Sequence, residues 1–152
     1  MKIRIRPREA FRRYLNRKER WSCIVAHRRA GKTVAVIQDL LLRSLTYKRK
    51  GPPTRYAYVA PTRDQAKDIA WGYLKSYVSK IPGVEINESD LRIILPSKSQ
   101  LRLYSGDSYE RMRGLYFDGI VVDEMADIAP KAWSQVMRPC LSDYSGWDGN
   151  SL

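Results

Sequence analysis

The chain has 152 residues, room for one domain with a real hydrophobic core rather than for several. With 43% hydrophobic and 29% charged residues it reads as soluble and globular, and no apolar run reaches membrane-spanning length. Its 28 Lys and Arg stand against 16 Asp and Glu, a net charge of +12 that points to a polyanionic partner, nucleic acid before a merely solubilising surface.

Residues 1–20 carry nine cations, opposed only by Glu9 and Glu19. Phe11, Tyr14 and Leu15 fall at helical spacing, which predicts a short amphipathic helix whose basic side either touches phosphates or is simply solvated. The N-terminus lacks the apolar block of a signal peptide. Trp21 to Val25 reads as the first strand, buried at Cys23-Ile24-Val25. Cys23 and Cys140 have no metal-ligand spacing and read as reduced thiols of a cytoplasmic protein.

Ala26-His27-Arg28-Arg29-Ala30-Gly31-Lys32-Thr33 follows, and then a helical pattern from Val34 to Leu45. Strand, glycine-containing loop, Lys-Thr and helix is the order that cradles a nucleoside triphosphate. Loop N–H groups and the helix dipole attract the phosphates. Lys32 reaches the terminal phosphates and the Thr33 hydroxyl sits on Mg²⁺. The pattern usually opens with glycine, and here Ala26 holds that slot. Arg28 and Arg29 lie inside the loop, with Arg29 favoured as the γ-phosphate contact, and His27 reads as a spacer rather than a base.

Gly51-Pro52-Pro53 stops the helix, and Tyr56 to Ala60 forms the next strand. Thr62 with Gln65 is a capping box, opening a helix to about Lys80 that buries Ala66, Ile69, Ala70, Tyr73 and Tyr77. Val84 to Ile86 is a short strand, and Leu91–Leu95 with Gln100–Tyr104 a hairpin around Pro96 to Ser99, with Arg102 and Tyr104 on a wet face. Tyr109 to Arg113 is a helical turn ended by Gly114. Ile120-Val121-Val122 fits a strand buried on both faces, and it ends in Asp123-Glu124. Asp123 at the strand tip is placed to hold Mg²⁺, and Glu124 to orient or deprotonate the attacking water. A last helix, Lys131 to Met137, follows Pro130, and Pro139 follows its end. The pattern is that of an α/β fold: a doubly wound, mainly parallel sheet of the P-loop NTPase (ASCE/RecA-like) type with a hairpin insertion near 91–104. Residues 1–20 form a basic N-terminal segment and 21–152 the ATPase domain.

Ala26 to Thr33, the segment from Tyr58 to Trp71, and Arg113-Gly114 before Ile120 to Glu124 together resemble the large terminase subunits of tailed bacteriophages. The resemblance implies an ATP-driven motor that packages double-stranded DNA into a procapsid. Its partners are the portal protein and the small terminase subunit, it works as a homo-oligomeric ring, and no membrane is involved. It implies a place in the host cytoplasm and transiently at the portal, outside the mature virion. By matching positions Lys32 and Thr33 bind phosphate and Mg²⁺, Asp123 the metal, and Glu124 is the catalytic carboxylate. An arginine of the loop and one in the Arg111–Arg113 region, Arg113 foremost, act as sensor or finger. The family usually carries an adenine-reading glutamine near the N-terminus; residues 1–20 have none, Arg8 stands where it is expected, and Phe11 or Tyr14 is left to stack on the base. A coupling motif has no match after Trp147, and the family's nuclease domain has none either, so the resemblance implies an incomplete ATPase domain that binds nucleotide better than it turns it over and does not cut DNA. Two other readings remain open: a helicase-like DNA-dependent ATPase, and a basic nucleic-acid-binding module with a vestigial loop.

Overall fold

The computed structural model describes residues 5–143; the start of the basic segment and the stretch around Trp147 lie outside them. One sheet holds β1 (Arg55–Ala60), β2 (Glu85–Asn87), β3 (Arg92–Ile94), β4 (Gln100–Ser105) and β5 (Gly119–Val122), in the order β2-β3-β4-β1-β5. β1 lies at the centre of the parallel half, between β4 and β5. Tyr56 to Ala60 are all buried, as an apolar run covered on both faces should be. β2, β3 and β4 pair antiparallel, so the expected hairpin is present. Its turn closes through Lys98 N–H to Leu95 O at 2.8 Å and Leu95 N–H to Ser99 O at 2.9 Å.

Helices cover both faces. A short turn, Glu9–Phe11, leads into α1 (Arg12–Leu15). α2 (Lys32–Thr46) puts Ile37, Leu40 and Leu41 on the sheet. α3 is one run over residues 63–78, built of Arg63–Gln65, a π-helical Ala66–Trp71 and Gly72–Val78. Thr62 and Gln65 close their capping box in both directions. The π-helical stretch corrects one expectation. Each wide turn takes more residues, so the inward stripe slips by one after Ala70. Trp71, Leu74 and Val78 are buried, while Ile69 and Tyr73 are 48% and 46% exposed. The opposite face is covered near β1 and β5 by residues 106–112 and by α4, the run over residues 130–140. Gly106 is required there, because a Cβ would sit 2.7 Å from Ile128 Cγ1. Helix α4 also runs past its expected end, with Pro139 inside its last turn.

The first predicted strand does not form. Trp21 to Val25 has no ladder partner among the described residues, Cys23 is exposed, and Val25 is 92% exposed. A strand needs a hydrogen-bonded neighbour, and this segment is tethered elsewhere. Arg20 Nη2 donates to Leu141 O at 3.3 Å, and the Trp21 ring meets Trp133 edge-on at 5.6 Å. The chain therefore passes along α4 and its end instead of joining the sheet.

A buried carboxylate ties the N-terminal segment down. Asp39 on α2 accepts from Tyr14 Oη at 3.1 Å, Arg17 Nη2 at 2.8 Å and Arg43 Nε at 3.0 Å, with only 1% of its side chain exposed. Removing one partner of a buried ion pair strands the other charge. Asp39→Ala should therefore lower unfolding free energy by about 3–5 kcal/mol in denaturant titrations; a loss under about 1 kcal/mol would mean that the cluster is relaxed by water.

Candidate nucleotide-binding site

The loop before α2 is a tight turn held by its own backbone. Ala30 N–H donates to His27 O at 3.3 Å and Ala35 N–H to Gly31 O at 3.1 Å. Two residues take left-handed backbone, Gly31 at φ 96° and Arg29 at φ 63°. Glycine adopts this without cost, arginine does not, and such strain gathers at binding sites. Gly31 thus caps α2 and leaves the first N–H groups of Lys32 and Thr33 at the loop mouth. Lys32 Nζ folds back onto the loop, donating to Ala26 O at 2.7 Å and His27 O at 3.1 Å. His27 Nδ1 meets Arg28 O at 2.6 Å, and His27, Arg28 and Arg29 are all exposed.

The acidic tip stands next to this loop. Asp123 N–H donates to Val59 O at 2.9 Å, which carries the β1–β5 ladder one residue further. Its Oδ2 accepts from Thr33 Oγ1 at 2.9 Å, a contact across 90 positions of sequence. The same oxygen accepts from Tyr58 Oη at 2.7 Å, and Oδ1 accepts from Glu124 N–H at 3.0 Å. Glu124 is exposed and left-handed at φ 51°, so the chain turns sharply as it leaves the sheet. The structure therefore brings Thr33, Asp123 and Glu124 to the end of the parallel strands where α/β sheets bind ligands.

Tyr58 is the residue that sequence reasoning missed. It points to the α2 face from β1, opposite Val121 of β5. Burial first, and then the Asp123 charge, push its phenol well above the ordinary tyrosine range, so it stays protonated and donates. The only signal in the sequence is its place two residues before the end of a central parallel strand. Partners that orient a metal ligand are worth roughly 10–100-fold in metal affinity. Tyr58→Phe should accordingly weaken nucleotide binding about tenfold with Mg²⁺ present and leave Mg²⁺-free binding unchanged; equal losses in both would assign Tyr58 to packing alone.

The donor set fits Mg²⁺ arriving with a nucleotide. Asp123 and Thr33 offer one carboxylate and one hydroxyl, and no group of three ligating side chains occurs among the described residues. Mg²⁺ keeps several waters and is bound through one or two carboxylates plus phosphates. Beside the loop lies an open cavity of about 1120 Å³, walled by Arg8, Phe11 and Tyr14 on one side and Ala26, His27 and Arg29 on the other. Phe11 is 6% exposed, the Tyr14 hydroxyl is engaged with Asp39, and Arg17 lies over the Tyr14 ring at 4.0 Å. Arg8 lies against the loop, its Nη1 donating to Ala30 O at 3.0 Å. Arg113 is elsewhere. It makes a bidentate pair with Glu110, at 2.6 and 3.0 Å, and lines a smaller cavity with Gln135, Pro139 and Cys140. The structure does not bring Arg113 to the loop of its own chain.

Known proteins share this chain's sequence and fold. An alignment covering 59% of this chain and 22% of the terminase large subunit of Thermus phage G20c is 28% identical. The terminase large subunit of Thermus virus P23-45 matches at the same identity and coverage. Among solved structures, the large terminase ATPase domain of Thermus phage P74-26 superposes with a TM-score of 0.67 at 26% identity, over 79% of this chain and 54% of that one. The large terminase of another thermophilic bacteriophage shares the fold, with a TM-score of 0.60 at 20% identity over 76% of this chain and 29% of that one. Residues 23–147 match the family described as terminase large subunit, T4likevirus-type, N-terminal, and the chain belongs to that family.

Proposed function

We propose that this chain is the ATPase part of a DNA-packaging motor, with a P-loop core of the ASCE type that binds and hydrolyses ATP with Mg²⁺. The observation that carries the reading is the 2.9 Å contact between Thr33 and Asp123, which joins the lysine-threonine loop to the acidic strand tip. The P74-26 ATPase domain, at 26% identity, supports the same activity. Lys32 leaves its carbonyl partners for the terminal phosphates, and loop N–H groups from His27 to Thr33 hold the rest of the chain of phosphates. Thr33 and Asp123 would hold Mg²⁺, which would supply charge neutralisation for the phosphates. Glu124 accepts the proton of the attacking water. Arg29 meets charge on the γ-phosphate from within the loop, and Arg113 does so from a neighbouring subunit of a ring.

In this reading residues 1–20 are a basic arm and 21–152 the ATPase domain. The substrate moved is double-stranded DNA, the partners are the portal protein and the small terminase subunit, and the work is done in the host cytoplasm at the procapsid portal. Binding of a fluorescent ATP analogue and release of phosphate, each with and without duplex DNA, test the proposal. Mg²⁺-dependent binding is the expected result. Tight DNA binding with no nucleotide affinity would instead favour a basic nucleic-acid-binding module with a vestigial loop.

A further inference from the structure

The sheet carries a second charged feature, away from the loop. On β1, β4 and β3, Arg55, Arg102 and Arg92 fall at alternate positions, on the face opposite Tyr56, Leu101, Leu103 and Ile93, which belong to the α2–α3 core. Arg92 and Arg102 are register partners on antiparallel strands. Like charges placed directly opposite destabilise a sheet. Arg102 pairs with Ala57, two residues along from Arg55, so the three arginines form an arc across neighbouring strands. Residues 106–112 and α4 pack on this face near β1 and β5, and the side chains of Arg92 and Arg102 remain 33% and 35% exposed.

The arc is fixed in place but poorly neutralised. Arg55 lies over the Tyr116 ring at 4.4 Å and Arg102 over the Tyr104 ring at 5.2 Å. The Nε atoms of Arg55, Arg92 and Arg102 are each buried with no hydrogen-bond partner among the described residues. Asp90 faces two of them, 3.6 Å from Arg92 and 3.9 Å from Arg102, and is itself 41% exposed, while Asp118 accepts from the backbone N–H of Arg55 at 2.9 Å. A set of arginines kept for stability alone would be paired one to one, since unmet buried donors are costly. Guanidinium groups propped on aromatic rings, with their outer ends in water, are instead pre-arranged for planar oxyanions such as phosphate.

We propose that Arg55, Arg92 and Arg102 form a contact site for the phosphate backbone of double-stranded DNA, separate from the nucleotide loop. The chain-wide excess of +12 favours a polyanion of this length over an acidic peptide. The inference rests on the DNA-binding part of the reading above and assigns it a place.

The test uses the whole chain and a fluorescent random-sequence duplex titrated at several salt concentrations. Each phosphate contact contributes about 0.9 to the slope of log affinity against log salt. Arg92→Gln/Arg102→Gln should reduce the slope by about 2 and the affinity at low salt at least tenfold, with thermal stability unchanged or raised because a like-charge pair is gone. Arg92→Gln alone should remove about 1 unit of slope, which keeps the test decisive if the double variant does not fold. Arg102→Lys should retain most of the slope. Lys67→Gln/Lys80→Gln, which removes two exposed cations on the α3 side, is the control and should leave the slope near that of the unmodified chain. Equal losses in the control, or an unchanged slope in the arginine variants, would overturn this site while leaving DNA binding itself standing. Absence of salt-dependent binding by the unmodified chain would overturn both.

Discussion

Lys32→Ala should abolish measurable ATP hydrolysis and weaken ATP binding about 100-fold. Hydrogen bonds from a charged donor are worth about 1.5–3 kcal/mol each, and every 1.4 kcal/mol is tenfold in affinity. Lys32 makes two such bonds already, to Ala26 O and His27 O, so its ammonium is held at the loop before any phosphate arrives. Moving it to the terminal phosphates exchanges neutral carbonyl partners for charged ones, which strengthens the contact. The same ammonium meets the charge that develops during phosphoryl transfer, so turnover falls further than binding. Equilibrium binding of a fluorescent ATP analogue reads the first effect and phosphate release the second. Undiminished binding in the variant would remove the loop from nucleotide recognition.

Glu124→Gln should have the opposite profile: binding kept, turnover lost. Glutamine has the same shape and keeps the backbone contact of Glu124 N–H with Asp123 Oδ1 at 3.0 Å. It cannot accept a proton. A positioned general base contributes about 10²–10⁴-fold, so kcat should fall by that range with ATP affinity within about twofold of the unmodified chain. The left-handed backbone at φ 51° should persist, since it is set by the chain's exit from β5 and not by the carboxylate. Single-turnover hydrolysis separates the chemical step from product release. Full activity would place the base on another residue.

Much of the fold was legible because its signals are local. The Thr62–Gln65 box, the turn from Pro96 to Ser99 and the buried Leu101 and Leu103 of β4 each declare themselves within a few residues, and all three are present. Tyr104, expected on a wet face, instead packs edge-on against Phe117, because residues 106–112 and α4 cover that side of the sheet. The meeting of Thr33 with Asp123 was legible for a different reason: two short patterns with complementary chemistry can serve one ligand only if folding joins them. What escaped depends on contacts that no local pattern encodes. Cys23-Ile24-Val25 looks like a buried strand, yet Trp21 and Arg20 are drawn to Trp133 and Leu141 more than 100 positions away. Ile69 and Tyr73 fit a regular helix, and the π-helical stretch from Ala66 to Trp71 turned them outward. Tyr58 reads as a core aromatic, and its hydroxyl finds Asp123 only because β1 and β5 are neighbours. Asp39 reads as a polar position on an amphipathic helix, and burial beneath Tyr14 and Arg17 made it an anchor.

The claim at the centre is that the loop and the strand tip hold one magnesium nucleotide between them. Calorimetric titration of ATP at increasing Mg²⁺, into the unmodified chain and into Asp123→Asn, tests it most directly. The expected result is affinity that rises with Mg²⁺ in the unmodified chain and stays flat in the variant, with both equal when Mg²⁺ is removed. The same Mg²⁺ dependence in both proteins would contradict the account, because Asp123 would then stand beside Thr33 without sharing its ligand.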